Sequence, residues 1–386
     1  MSTQIIQNYE NNHKLYFTLA NSDVSIANAI RRTILSDIPT VVIRTEDSKV
    51  NQCNIQINTS RFHNELIKQR LSCIPIHTND PEFANRYVLE IDVKNESVNE
   101  LRWVTTKDFK IKDKNNDQFL SDEETQKIFP PNSKTLCYID FLRLRSSIGN
   151  SIPGEHIKLS ATFSVSSAKT NSMFNVVSTC TYQNSPDKIR TDEAWQTYKQ
   201  QLESEQKKST EIEFEKKNFY YLQAERYYVK NAAGQANQFD FTIQTIGVYT
   251  NKGIVYEACK ILCDKCKLFV QGVDADTVPR FPSLTTRENG YLSVTESTIE
   301  YSYDIILENE DYTLGKALEY LLYEHYYKGE EILSYCGFKK YHPHDDYSVI
   351  RIAYKEAPSV LLIKSNLTKI GNEAYQIFHT IQKLFS

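Results

Sequence analysis

Asn21-Ser22-Asp23-Val24-Ser25-Ile26-Ala27-Asn28-Ala29-Ile30-Arg31-Arg32-Thr33-Ile34-Leu35 is echoed far along the chain. The echo is Asn309-Glu310-Asp311-Tyr312-Thr313-Leu314-Gly315-Lys316-Ala317-Leu318-Glu319-Tyr320-Leu321-Leu322-Tyr323, and the two align without a gap. Asn, Asp and the central Ala coincide. Ser25/Thr313, Ile26/Leu314, Ala27/Gly315, Ile30/Leu318 and Ile34/Leu322 keep size and polarity. Each copy follows a short apolar run that reads as a strand, Lys14-Leu15-Tyr16-Phe17-Thr18-Leu19 and Tyr303-Asp304-Ile305-Ile306-Leu307. One chain thus carries a strand–turn–helix unit twice, and two related units imply a pseudo-two-fold pair, the single-chain version of an isologous dimer. The copies disagree at Arg31-Arg32 against Glu319-Tyr320.

Ser22 or Asp23 can cap the first helix, because a short oxygen side chain accepts from the free N–H groups of the first turn. Ile26, Ala27, Ile30 and Ile34 then recur at three- and four-residue steps, the spacing of one helical face. Pro39 ends the run. Two further helices are expected over residues 253–269, with Leu262 on its apolar face, and 366–384, with Ile377 and Ile381 on its own. Leu314, Leu318 and Leu322 complete the set of residues expected to pair the two halves.

The rest of the chain reads mostly as strands. They fall near residues 40–45, 53–58, 87–93, 101–105, 136–144, 156–165, 174–182 and 239–248, with a short helix over 62–71. Residues 111–127 are polar and read as a surface excursion. Residues 187–228 are rich in Glu, Lys and Gln and read as two solvated helices. In the last part, strands are expected at 291–296, 299–307 and 348–354, with a helix at 311–326. The fold class is α+β. Two units, each an antiparallel sheet plus two helices, are expected as an intramolecular pseudo-dimer. The first comprises 1–47 and 174–275, with the charged insert at 187–228. A strand-rich domain is inserted at 48–173, a linker runs over 276–290, and the second unit covers 291–386.

Composition narrows function. At 386 residues and a net charge of -4, the chain has no global basic field of the kind that marks autonomous nucleic-acid binding. No apolar run approaches the roughly 18 residues of a membrane span, and Met1-Ser2-Thr3-Gln4 opens no signal peptide. Eight scattered Cys point to reduced thiols in an intracellular protein. No phosphate loop, Gly-x-Ser-x-Gly or His-Glu-x-x-His occurs, so no catalytic residue is expected. Cys259-x3-Cys263-x2-Cys266 lies at helical spacing among apolar neighbours and reads as core. A zinc site is the alternative, but zinc takes four tetrahedral ligands and no second Cys pair is near. His342-Pro343-His344-Asp345 reads as a turn, with a metal again the alternative. No cofactor is expected.

The stretch 21–40 resembles the first helix of the α-like, third-largest subunit of multisubunit DNA-directed RNA polymerases. Residues 62–76, ending Ser72-Cys73-Ile74-Pro75-Ile76, are similar to a later segment of that subunit. Residues 239–247, with the helix after them, resemble the strand and helix that close its dimerisation domain. Asp311-Tyr312-Thr313-Leu314-Gly315 and Cys336-Gly337-Phe338 with Tyr341-His342-Pro343 resemble the small partner subunit. Tyr312 stands where that family has His, and residues 77–100 lack the Cys-rich zinc loop of some relatives. A fusion of the two subunits is a feature of nucleocytoplasmic large DNA viruses.

The resemblance implies a non-catalytic assembly platform with the two halves paired. It implies docking of the second-largest and largest polymerase subunits, with Arg31, Arg32, Arg70, Ile74 and Pro75 on the docking side. A small platform-associated subunit is a further expected partner, with no sequence-specific nucleic-acid contact and no membrane. Expected locations are the host cytoplasm and virion, or the nucleus. The rival readings are a metal-dependent enzyme using Cys259, Cys263, Cys266 and His342 or His344, and a scaffold unrelated to transcription.

Overall fold

A computed structural model of the chain describes residues 3–149, 151–223, 226–275, 284–288, 291–294 and 298–386. Its contacts divide the chain into a larger unit (1–34, 179–244 and 251–386) and a smaller one (35–178 and 245–250).

The chain starts with β1 (Gln4–Asn11) and β2 (Lys14–Ala20), an antiparallel hairpin. Asn12 and His13 turn it with φ of 49° and 61°. Left-handed dihedrals at both central residues match the strand twist, and Asn tolerates them better than most residues. α1 (Val24–Ser36) follows.

In the smaller unit the chain forms β3 (Thr40–Val42), β4 (Cys53–Asn58), α2 (Asn64–Ser72), α3 (Glu82–Arg86), β5 (Tyr87–Lys94) and β6 (Arg102–Thr105). β7 (Lys110–Asp113), α4 (Asp122–Ile128), β8 (Asp140–Leu144), β9 (His156–Thr162) and β10 (Ser164–Ser166) complete it. The main sheet is antiparallel in the order β4-β9-β5-β7, and β6 pairs with β8 and β3 with β10. Alternate residues Leu89, Ile91 and Val93 of β5 and Ile157, Leu159 and Ala161 of β9 point into one core, as a period of two requires.

Residues 111–127 lie mostly at the surface, as expected, but they are anchored and carry regular structure. Ile111 is fully buried in β7, and α4 is held by a capping box in which Ser121 and Glu124 exchange hydrogen bonds. The segment's apolar anchor Ile111 and the buried Ile128 and Phe129 that follow it are too far apart to show a period. Its polar Asp113 is buried because Arg86 pairs with it at 2.7 Å. The strand expected from residue 136 starts only at Asp140, since Leu136 sits at φ 56° and is exposed.

The larger unit resumes with β11 (Val177–Asn184), α5 (Lys188–Ser204), α6 (Ser209–Leu222), β12 (Gln238–Thr245) and α7 (Asn251–Asp274). β1-β2-β12-β11 is a four-stranded antiparallel sheet. Phe17 of β2 faces Phe241 of β12 in register, and their rings stack at 4.7 Å. α5 and α6 close over a small core of their own, Trp195, Leu202 and Phe219.

β13 (Leu284–Glu288) and β14 (Tyr291–Val294) form a hairpin. Most of the expected linker, residues 276–283 and 289–290, lies outside the described residues, as do residues 295–297 of the strand expected at 291–296. β15 (Ser302–Glu308), α8 (Tyr312–Leu322), β16 (Leu333–Lys339), β17 (Tyr347–Tyr354) and α9 (Val360–Lys383) end the chain. β15, β17 and β16 lie side by side, antiparallel. The expected helix 311–326 stops being α-helical at Leu322 and continues as a π-helical turn over Tyr323–Gly329. β16 was not foreseen, because Ser334, Tyr335, Cys336 and Gly337 carry no apolar alternation.

α7 and α9, 24 residues each and about 36 Å long, pack against each other. Gly371 is the point of close approach: a Cβ there would lie 2.6 Å from Val270 Cγ2 and 2.9 Å from Phe269 Cδ1. Inside the sheet of the last part, Arg351 Nε and Nη2 grip the fully buried Asp304 carboxylate at 2.6 and 2.7 Å. Such a bidentate pair offsets the cost of burying the charge. The architecture is mixed α and β with antiparallel sheets. Among the described residues, no helix is long and apolar enough to cross a membrane.

Candidate functional site

The duplicated stretch is duplicated in geometry. Each copy leaves its strand through an Asn at positive φ, 53° at Asn21 and 58° at Asn309. Each then uses an Asp as N-cap. Asp23 Oδ1 accepts from Ser25 N–H at 2.7 Å, and Asp311 Oδ1 from Thr313 N–H at 2.8 Å. Both the αL tolerance and the capping need a short polar side chain, which explains the Asn-x-Asp identity. α1 buries Ile26, Ala27, Ala29, Ile30, Thr33 and Ile34, and α8 buries the aligned Leu314, Gly315, Ala317, Leu318, Leu321 and Leu322. The exchange of Ala27 for Gly315 has a local cause. A Cβ on Gly315 would fall 2.0 Å from the Phe338 ring of β16.

Of the residues expected to pair the halves, Ile26, Ala27, Ile30, Ile34, Leu262, Leu314, Leu318, Leu322 and Ile381 are buried, and Ile377 is half-buried. Phe378, Ile370 and Gly371 are buried deeper than Ile377. Sequence reasoning underrated Gly371, because a glycine contributes no apolar signal.

The arginines lie as follows. Arg31 donates to Asn28 Oδ1 at 2.9 Å, and its carbonyl accepts from the Cys180 thiol. Arg32 reaches the other copy: Nη2 meets Asp311 Oδ2 at 2.8 Å and Nε meets Thr313 Oγ1 at 3.0 Å. Arg70 belongs to the smaller unit. It donates to the carbonyls of Phe141 and Asp140 at 2.6 and 2.9 Å and lies over the Phe62 ring. Ile74 is buried and Pro75 half-buried in the same unit.

Burial raises the Asp311 carboxyl pKa, but the Thr313 hydroxyl and N–H and the Arg32 guanidinium outweigh it and hold it below the usual range. A carboxylate depressed in the folded state contributes stability above its unfolded pKa, near 4, and loses it as pH falls through the folded value. Arg32→Ala is therefore expected to shift acid unfolding to higher pH and to cost roughly 0.5–1 kcal/mol at pH 7, the modest value of a partly exposed pair. A pH series of thermal melts checks it. An unchanged acid limb would show that the pair is not formed in solution.

Cys259, Cys263 and Cys266 all lie buried on α7. The Cys263 thiol donates to Tyr375 carbonyl, and burial pushes its pKa up to about 11. Burial raises Cys259 and Cys266 further. A metal takes the thiolate, which this setting disfavours. His342 and Asp345 close a turn, with Asp345 Oδ2 accepting from His342 N–H at 3.0 Å. Among the described residues no group of three or more His, Cys, Asp or Glu is arranged to hold a metal ion.

The sequence that carries the first copy of this arrangement matches a known family. The model of the RNA polymerase Rpb3/Rpb11 dimerisation domain fits residues 16–266, and the chain belongs to that family. Among similar proteins, "DNA-directed RNA polymerases IV and V subunit 3B" of Arabidopsis thaliana is 42% identical over 60 residues, 16% of this chain and 17% of that one. "DNA-directed RNA polymerases II, IV and V subunit 3" of the same plant is 36% identical over 76 residues, 20% and 21%. "DNA-directed RNA polymerase II subunit RPB3" of Schizosaccharomyces pombe is 34% identical over 64 residues, 17% and 19%. The chain spans about a fifth of the length of these relatives. The second copy of the repeat lies beyond the matched family segment.

Proposed function

We propose that this chain is a non-catalytic platform subunit of a DNA-directed RNA polymerase, in which two α-like halves pair within one polypeptide. The observation that carries the reading is the second copy. It repeats the Asn–Asp cap geometry of the first, and its terminal helix α9 packs along α7, the helix that closes the family segment. The pairing is an intramolecular pseudo-dimer, and a tether sets effective concentrations on the order of mM, so the halves meet without a diffusional search.

In this reading the chain is a fused subunit of the kind carried by polymerases of nucleocytoplasmic large DNA viruses, acting in viral transcription in the host cytoplasm and virion, with the nucleus as the other site. Its partners are the second-largest and largest subunits and a small platform-associated subunit. Arg31, Arg32, Arg70, Ile74 and Pro75 belong to the docking surfaces. Arg70, anchored on two backbone carbonyls, shapes the segment that ends in Ile74-Pro75.

Affinity purification from the native source tests the reading. The expected result is stoichiometric recovery of two large polymerase subunits and no separate small α-like partner. Recovery without any large polymerase subunit would overturn it.

A further inference from the structure

The two copies treat their caps differently. At the start of α8, the Asp311 carboxylate and Thr313 hydroxyl receive the Arg32 guanidinium from α1. At the start of α1, the aligned pair is Asp23 and Ser25, and the residue aligned with Arg32 is Tyr320. A tyrosine supplies no fork of N–H donors and no charge. Asp23 caps its helix but carries no ion pair among the described residues, and Ser25 Oγ is buried without a hydrogen-bond partner among them. In place of a counterpart to Arg32, this end has a cavity of about 400 Å³ lined by Asp23, Ser25, Asn28, Glu319, Tyr320 and Tyr323, and the nearby Arg31 guanidinium is taken up by Asn28 Oδ1 at 2.9 Å. Tyr182 adds a third aromatic ring, and Lys316, also in the wall, is engaged by Glu319 at 2.5 Å. Asp23 is left as the acceptor for a cation.

We propose that this cavity receives an arginine side chain from an assembly partner, seated against Asp23 as Arg32 is seated against Asp311. Arginine fits better than lysine. A planar fork can meet a carboxylate and a neighbouring hydroxyl together, as it does in the other copy, and tyrosine rings favour a stacked guanidinium. The pocket stands on its own geometry. That the arginine arrives on a polymerase subunit rests on the function proposed above.

The intact protein is titrated with L-arginine amide and with L-citrulline amide, which has the same shape without the guanidinium charge, while NMR follows the ring signals of Tyr182, Tyr320 and Tyr323. Arginine amide is expected to shift them and citrulline amide to leave them unmoved. Asp23→Asn keeps the cap, since Asn caps as well as Asp, and is expected to weaken binding about tenfold, the scale of a lost charge-assisted bond. Tyr320→Arg places a guanidinium in the cavity from within. It is expected to raise Tm, to abolish the response to arginine amide and to reduce recovery of a large subunit in the purification. Equal responses to the two amides, no response to either, or unchanged affinity in Asp23→Asn would overturn the pocket. Normal assembly by Tyr320→Arg would overturn the partner-borne arginine. None of these results would displace the platform reading, which stands or falls on partner identity.

Discussion

Leu318→Asp is expected to destabilise the larger unit by about 4 kcal/mol or more. Leu318 is fully buried on α8, in the position aligned with the equally buried Ile30 of α1. Two costs combine. Removing the leucine forfeits apolar burial and leaves a void, worth roughly 2–5 kcal/mol for truncation alone. The new carboxylate then lies in an apolar setting without a partner, a further cost that only protonation or local opening relieves. Native domains hold about 5–15 kcal/mol in total, so the variant sits at the edge of folding. Thermal or urea unfolding reads the effect directly. Val24→Asp is the control: Val24 is 48% exposed at the start of α1, where an acidic residue suits the helix dipole, and a change within about 0.5 kcal/mol is expected. A Leu318→Asp protein with near-native Tm would mean that α8 does not sit in the core.

Much of this was legible in advance, for reasons that differ between elements. The repeat could be read because its Asn and Asp have local work to do, a left-handed turn and a cap, which fixes residue type wherever the motif recurs. The long helices showed because each buries a face at regular spacing. β16 and the β7–α4 segment escaped because their burial depends on partners distant in sequence, Phe338 against Gly315 in one case and Asp113 with Arg86 in the other. Arg32 is the most instructive residue. Sequence comparison marked it as the point where the copies differ, and the resemblance assigned it to a docking surface. Within the chain it contacts Asp311 and Thr313. A signal for that contact was present: if two copies pair about a pseudo-dyad, the position that faces the other copy's cap does so twice. The aligned Tyr320 does lie in the field of Asp23, which adds to burial in pushing its pKa up to about 12.

Gly371→Val is expected to separate α7 from α9, with a loss of about 3 kcal/mol, the upper range for overpacking. A glycine in mid-helix costs roughly 1 kcal/mol against alanine, so helix propensity alone predicts that Gly371→Ala stabilises. Geometry predicts the reverse. The added Cβ meets Val270 Cγ2 at 2.6 Å and Phe269 Cδ1 at 2.9 Å. Neither can swing aside easily. Valine holds one strongly preferred rotamer in a helix, and Phe269 is buried. Gly371→Ala is therefore expected to lower Tm, and Gly371→Val to lower it further. Val270→Ala removes the nearest obstructing methyl, so it should recover part of the loss in the double variant, a coupling that a double-mutant cycle measures. An additive cycle would place the clash elsewhere, and a stabilised Gly371→Ala would show that the helices stand further apart. Because α7 closes the family segment and α9 closes the second copy, the same variants also test assembly. If this crossing holds the platform together, recovery of the large subunits should fall in step with Tm across the series.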